Sequence, residues 1–190
     1  MFHIILKEMR INHYIKNLVV FIPILYNNIK LNTINISNTI LLFLSFCFIA
    51  SAVYVINDLK DKNEDKKNLY NAQRPIAQNL ISLKQAYTLT IICIILASLF
   101  SIYTKTEFFI FTYLLLNILY TFCLRNIFYI DVCCIAFGFI LRILAGYTII
   151  QTIPNKDLLC WIFFTSSIFT FTKRRLQLQS NKSQGRKQGK

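Results

Sequence analysis

The stretch NDLKDKNED, residues Asn57–Asp65, is a polar run at the end of a long apolar segment. Asp58, Asp61 and Asp65 are spaced by three and then four residues, so a helix that continues through them places the three carboxylates on one face. Asn57 lies at the edge of that face. Neighbouring carboxylates repel one another unless a cation lies between them, and Mg²⁺ prefers such oxygen ligands. The pattern predicts a metal site, and a solvated, charged helix end is the alternative.

Composition indicates a membrane protein. The 190 residues are 55% hydrophobic and 15% charged, with a mean hydropathy of +0.50, which leaves too little polar surface for a water-soluble globule. The apolar residues form blocks close to the ~20 residues that cross a bilayer, the first of them only if its helix begins near Ile11. The predicted spans are Ile11–Tyr26, Ile34–Ile56, Ala86–Tyr103, Glu107–Leu124, Val132–Ile150 and Leu158–Phe171. The sequence therefore predicts an all-α, polytopic transmembrane bundle of about six helices.

The basic residues are distributed as membrane topology requires. Lysine and arginine number 21 against 8 acidic residues, for a net charge of +13, which by itself would suit a nucleic-acid partner. The cations concentrate at both chain ends and in the loops after the second and fourth spans, with the exceptions Lys30, Lys105, Lys156 and Arg142. By the positive-inside rule, both termini and the aspartate-rich loop face the cytoplasm, in the inner (plasma) membrane. We expect no nucleic-acid partner.

Three cations are candidates for binding phosphate or for holding the bundle together. Lys16 enters the first span, where it either extends to the membrane boundary or meets a phosphate in a polar cavity. Arg74 precedes Pro75, which restricts its backbone and allows its guanidinium to be aimed at a phosphate. Arg142 is a full charge inside a span, so it should face the bundle interior, and its role as ligand or scaffold stays open.

A second polar cluster is predicted at the cytoplasmic face. Asp131 opens the fifth span, where it is either an ordinary helix-start carboxylate or a partner of the aspartate row. Tyr120 and Arg125 precede it at the end of the fourth span. We expect these three residues to lie opposite Asn57–Asp65.

Two predictions concern element ends. Ser82 is a candidate N-cap for the third span, because it directly precedes the helical pattern. Residues 177–190 are rich in Lys, Gln, Gly and Ser without periodicity, which predicts a disordered polar tail.

The chain resembles the UbiA superfamily of intramembrane prenyltransferases, whose first signature is Asn-Asp-x-x-Asp-x-x-x-Asp at the inner end of the second helix. Asn57, Asp58, Asp61 and Asp65 fill every place. It looks most like the decaprenyl-phosphate phosphoribosyltransferase branch, although Tyr14 replaces a tryptophan of the branch and Asn79 replaces a glycine. The supporting stretches are YIKNLVVF (14–21), YVIND (54–58), RPIA (74–77), residues 120–131, GFILR (138–142) with AG (145–146), and KRR (173–175).

The resemblance implies a fold, a reaction and a cofactor. The family fold has nine helices, so residues 1–176 would form an incomplete transferase domain of six, and we expect a truncated product whose lipid-facing cavity lacks one wall. The reaction would transfer 5-phosphoribosyl from phosphoribosyl diphosphate to a polyprenyl (decaprenyl) phosphate and release diphosphate. Mg²⁺ would neutralise the leaving diphosphate, and the anionic acceptor needs no strong base.

The resemblance also implies residue roles. The metal ligands would be Asn57, Asp58, Asp61, Asp65 and Asp131, and the four aspartates are the candidate catalytic residues. The candidate substrate-binding residues are Lys16, Asn17, Arg74, Tyr120, Arg125, Arg142, Lys173 and Arg174. Two other functions compete with this one: a prenyltransferase of the same superfamily that acts on an aromatic or quinone-precursor acceptor, and an inactive, truncated membrane protein.

Overall fold

The computed structural model describes residues 2–26, 33–68, 71–124 and 128–188, and these residues are almost wholly helical. The seven α-helices within them are α1 (Phe2–Glu8), α2 (Ile22–Tyr26), α3 (Thr33–Asp65), α4 (Leu83–Tyr103), α5 (Glu107–Leu119), α6 (Phe128–Ile150) and α7 (Lys156–Gln188). Two 3₁₀ helices (Ile11–Phe21 and Asn71–Gln73) and a π-helix (Tyr120–Leu124) lie between them. The described part contains no strand, and the predicted all-α class is confirmed.

Four helical segments within the described residues are long and apolar enough to cross a bilayer: Thr33–Asp65, Leu83–Tyr103, Glu107–Leu124 and Val132–Ile150. They coincide with the second to fifth predicted spans. Because α3 has 33 residues, it is about 50 Å long, whereas the hydrocarbon core is about 30 Å thick. The polar end of α3, with its aspartates, can therefore extend beyond the hydrocarbon region.

The first predicted span is built differently from the single α-helix expected there. Ile11–Phe21 is a 3₁₀ helix, and α2 adds only five residues. Pro23 in α2 has no N–H to donate to a preceding carbonyl. The segment packs closely on α6, since a Cβ added at Gly146 would come within 2.5 Å of the Val20 carbonyl oxygen. Gly146 thus permits a backbone approach that holds the 3₁₀ helix against the bundle.

The core is centred on the middle of α3. Leu42, Phe46 and Ile49 of α3 are buried in one cluster with residues of α4, α5, α6 and the first 3₁₀ helix. Large apolar side chains cover the outer faces of α4, α5 and α7, where they are exposed, as in Ile91, Leu99, Phe111 and Phe164. An apolar exterior around a packed helical interior is what a lipid environment permits.

Both predicted element ends can be compared with the structure. Ser82 caps α4: its Oγ accepts a hydrogen bond from the Gln85 amide (3.2 Å), and the Gln85 side chain accepts one from the Ser82 amide (2.9 Å). This reciprocal capping box confirms the predicted helix start. The backbone of α7 is helical through Gln188, whereas the sequence predicted disorder from residue 177. A domain boundary at residue 176 stays a prediction.

Candidate functional site

The three aspartates of α3 are buried at the end of the helix. Asp58, Asp61 and Asp65 are 1%, 7% and 3% exposed. The Arg74 Nη1 atom lies 3.0 Å from Asp58 Oδ1 and 2.7 Å from Asp65 Oδ2. One guanidinium reaches both carboxylates because they are seven residues, or two helical turns, apart on the same face. The proline after Arg74 fixes the backbone from which this side chain extends.

A second arginine, Arg10, holds Asp58 as well. Its Nη2 lies 2.5 Å and 2.7 Å from the two oxygens of Asp58, and its guanidinium carbon lies 4.9 Å from the centre of the Tyr54 ring. Arg10 adopts a left-handed backbone conformation (φ 53°) at the turn between α1 and the 3₁₀ helix. This turn brings the N-terminal segment to the end of α3. Sequence reasoning counted Arg10 only as a cytoplasmic cation, because 48 residues separate it from Asp58.

Glu8 is the other site residue that the sequence did not indicate. It is 1% exposed, and within the described residues neither of its carboxylate oxygens has a hydrogen-bond partner of ordinary geometry. Burial and the charge of Asp58 raise the pKa of Glu8 to about 7, although Arg10, the Ile76 amide and Arg74 act to lower it. A buried carboxyl without partners destabilises a fold, so its presence beside Asp58 requires an explanation.

A cavity of about 600 Å³ lies beside these residues. Its walls come from α1, the turn that follows it, the start of the first 3₁₀ helix, the end of α3 and the segment 73–75. Nine of its twelve lining residues are polar or charged, Glu8, Arg10, Asp58 and Arg74 among them, so the cavity suits a polar ligand. The Lys7 side chain bridges two walls by donating to the Gln73 carbonyl (3.1 Å).

Asn57 faces a different neighbour, the π-helix after α5. The Thr121 hydroxyl donates to the Asn57 side-chain oxygen, and the Thr121 carbonyl accepts a hydrogen bond from Lys60. A π-helix departs from the regular i to i−4 ladder and is frequent at functional sites. The Asn57 oxygen that was predicted to bind metal is thus engaged by Thr121.

Asn17 and Arg142 form a separate buried cluster. Arg142 donates from Nε to Asn17 Oδ1 (2.8 Å), from Nη2 to the Tyr113 hydroxyl (3.1 Å) and from Nη1 to a main-chain carbonyl of α6 (2.6 Å). Asn17 also contacts Cys47 on α3, at 3.2 Å. Cys47 precedes Asp58 by eleven residues, or about 16 Å of helix. The structure therefore joins these two predicted substrate ligands to each other, deep in the bundle.

The other predicted site residues do not take part in the hydrogen bonds and ion pairs of the aspartate row given above. Lys16 is exposed on the 3₁₀ helix, and Tyr120 is half-buried at the start of the π-helix. Arg125 lies outside the described residues. The side chains of Asp131, Lys173 and Arg174 also lie outside the described part, so the predicted second cluster stays a prediction.

The carboxylates of α3 have the chemistry that Mg²⁺ requires. They are hard oxygen donors, buried together at a helix end beside a polar cavity. In the described part of the chain they are not gathered as a group of three around one point, and Arg10 and Arg74 form ion pairs with Asp58 and Asp65. The donor set fits the metal, and a metal would take over contacts that the two arginines now make.

Comparison with known proteins decides the family. Residues 29–188 match the sequence profile of the UbiA prenyltransferase family. The chain belongs to this family. The match begins before α3 and includes the aspartate row, so the predicted membership is confirmed. Together with the four apolar helices, it indicates an integral membrane protein.

Among relatives of this UbiA protein, decaprenyl-phosphate phosphoribosyltransferase of Mycolicibacterium smegmatis is 25% identical, over 96% of this chain and 59% of the relative. The protein of the same name from Corynebacterium glutamicum is 29% identical, over 74% of this chain and 44% of the relative. A UbiA homolog from Archaeoglobus fulgidus, solved with GPP and Mg²⁺, superposes with a TM-score of 0.73 at 20% identity, over 88% of this chain and 61% of that chain. The chain therefore shares the fold and spans less than two thirds of each of these proteins.

Proposed function

We propose that the protein is a Mg²⁺-dependent membrane transferase that moves 5-phosphoribosyl from phosphoribosyl diphosphate to a polyprenyl (decaprenyl) phosphate, with release of diphosphate. The observation that carries the proposal is the buried aspartate row facing Arg10 and Arg74 at a polar cavity. Relatives named decaprenyl-phosphate phosphoribosyltransferase support the choice of donor and acceptor.

The proposed reaction is a substitution at the ribose carbon that carries diphosphate. An oxygen of the acceptor phosphate forms the new bond to this carbon while the bond to diphosphate breaks, so negative charge grows on the leaving diphosphate. The acceptor phosphate is already anionic, so it attacks without a strong base. The chain accordingly needs cations at the leaving group more than it needs a general base.

The charges of the site suit this requirement. Asp58, Asp61 and Asp65 would hold Mg²⁺, which when bound supplies positive charge to the diphosphate. Arg10 and Arg74 are 23% and 27% exposed at their side chains, so both can reach a ligand in the cavity. Guanidinium groups bind phosphate oxygens through paired hydrogen bonds, and both would exchange a carboxylate partner for a phosphate one.

The proposed location follows from charge and hydropathy. The distribution of basic residues favours an orientation with both termini and the aspartate row at the cytoplasmic face of the inner membrane. A water-soluble donor then enters the polar cavity from the cytoplasm, and the polyprenyl chain of the acceptor stays in the lipid beside the apolar helix faces. The protein is proposed to act without a nucleic-acid partner.

A donor assay tests the proposal. Membranes that contain the full chain receive Mg²⁺, polyprenyl phosphate and phosphoribosyl diphosphate labelled in the ribose. We expect label in the lipid fraction with the wild type and with Asp157→Asn, a control at an exposed carboxylate of α7. Prenylation of an aromatic acid without lipid labelling would identify the aromatic prenyltransferase instead, and the absence of both products would favour the inactive protein.

A further inference from the structure

Glu8 is the residue of the site that the proposed reaction does not yet use. Its carboxylate is buried at the wall of the cavity, and within the described residues neither oxygen has a hydrogen-bond partner of ordinary geometry, although the Ile76 amide lies close enough to act on it. The nearby cations do not satisfy it, because the described hydrogen bonds of Arg10 and Arg74 go to Asp58 and Asp65. Glu8 thus retains capacity to accept hydrogen bonds from a ligand.

We infer that Glu8 recognises the hydroxyl groups of a sugar-bearing diphosphate donor, and that it thereby selects such a donor over a prenyl diphosphate. This inference rests on the proposed function and names the residue that would confer its donor specificity.

The charge pattern of the cavity suits a ligand that carries both hydroxyl and phosphate groups. A carboxylate repels phosphate oxygens but accepts hydrogen bonds from hydroxyl groups, whereas a guanidinium donates to phosphate oxygens. Arg10 and Arg74 lie on the same cavity as Glu8. A ligand with phosphates at one end and hydroxyls nearby satisfies both kinds of group. Phosphoribosyl diphosphate has this combination, and inorganic diphosphate has only the first part of it.

A prenyl diphosphate fits the same wall poorly. Its tail carries no hydroxyl, so Glu8 would remain buried without a partner against hydrocarbon. A site that is built to hydrogen-bond a hydroxyl discriminates strongly against an analogue that lacks it, because its polar group is then left unpaired. In the proposed orientation, Glu8 on α1 also lies on the cytoplasmic side, from which a water-soluble donor arrives.

Equilibrium binding to the full chain in nanodiscs with Mg²⁺ tests the inference. The probes are phosphoribosyl diphosphate, inorganic diphosphate and geranylgeranyl diphosphate. Glu8→Leu should weaken phosphoribosyl diphosphate about 10- to 100-fold, as expected for hydrogen bonds to a charged group, and should bind inorganic diphosphate at least as tightly as the wild type does. Glu8→Gln keeps one acceptor oxygen and should lose less than Glu8→Leu. Glu64→Leu, which removes an exposed carboxylate at the end of α3, is the matched control.

The ratio of the two affinities decides the outcome. A fall in the affinity for phosphoribosyl diphosphate relative to inorganic diphosphate supports the inference, and an unchanged ratio in both Glu8 variants overturns it, even if both affinities drop through a damaged fold. A wild type that binds geranylgeranyl diphosphate but not phosphoribosyl diphosphate contradicts the proposed function itself. Wild-type binding of phosphoribosyl diphosphate with an unchanged ratio contradicts only the role of Glu8.

Discussion

Two buried polar regions of the molecule use arginine in opposite ways. In the middle of the bundle, Arg142 donates to Asn17, to Tyr113 and to a main-chain carbonyl, all of them neutral groups of the fold. At the end of α3, Arg10 and Arg74 pair with carboxylates beside a cavity. The first arrangement engages every nitrogen of its guanidinium with fixed partners, whereas the second has ion pairs that a ligand or metal can replace. We therefore expect the first region to serve stability and the second to serve binding.

Disruption of the first region should lower the unfolding free energy most. Arg142→Gln removes a guanidinium that is 6% exposed and leaves the Asn17 oxygen and the Tyr113 hydroxyl without their donor. We expect a loss of roughly 3 kcal/mol or more in unfolding free energy. Thermal unfolding of the detergent-solubilised protein measures it, with exposed Arg175→Gln as the control. A variant of native stability that no longer binds phosphoribosyl diphosphate would instead make Arg142 a ligand residue.

The second region should carry a stability cost that the first does not. The pKa of Glu8 is about 7 in the folded protein, above its ordinary value of 4.5. Between these pH values the unfolded chain releases the proton first, so rising pH favours unfolding, and the cost is complete above pH 7. Glu8→Gln removes the titration. At pH 8 it should be more stable than the wild type by roughly 3 kcal/mol, and at pH 4.5 the difference should nearly vanish.

The same thermal unfolding experiment, repeated across pH, checks the sign. A Glu8→Gln variant that is less stable than the wild type at pH 8 would mean that the carboxylate makes a favourable contact in the fold. The site would then not be one that sacrifices stability for binding.

The smallest effect on stability is expected at Arg10. Arg10→Gln leaves Arg74 to neutralise the buried Asp58, and the Arg10 side chain is partly exposed, so we expect a loss of unfolding free energy of only about 1–2 kcal/mol. Binding of inorganic diphosphate should fall about tenfold, as one charge-assisted contact is lost. Lys7→Gln is the control, because Lys7 lines the same cavity but donates to a carbonyl. Equal losses in both variants would indicate a general charge effect and no specific role of Arg10.

The two regions also differ in how far the sequence could predict them. The spacing of the aspartates and the proline after Arg74 are local signals, and local rules also found the capping box at Ser82. Arg10 and Glu8 gave no such signal, because only the left-handed turn at Arg10 brings α1 to the end of α3. The sequence predicted that Arg142 faces inward, but its side-chain partners Asn17 and Tyr113 come from other elements, so these contacts needed the structure.

Metal binding at the aspartate row distinguishes a metal site from a charged helix end. Mn²⁺ serves as a paramagnetic substitute for Mg²⁺, and electron paramagnetic resonance measures its affinity for the full chain in the presence of phosphoribosyl diphosphate. We predict that Asp58→Asn weakens Mn²⁺ binding at least about 100-fold. Mutation of a residue that only hydrogen-bonds a metal ligand already lowers metal affinity about 10- to 100-fold, and loss of a ligand should cost more. Asp157→Asn should bind like the wild type. If Asp58→Asn also binds Mn²⁺ with wild-type affinity, the aspartate row is a charged helix end held by arginines. That result would contradict the proposed metal site.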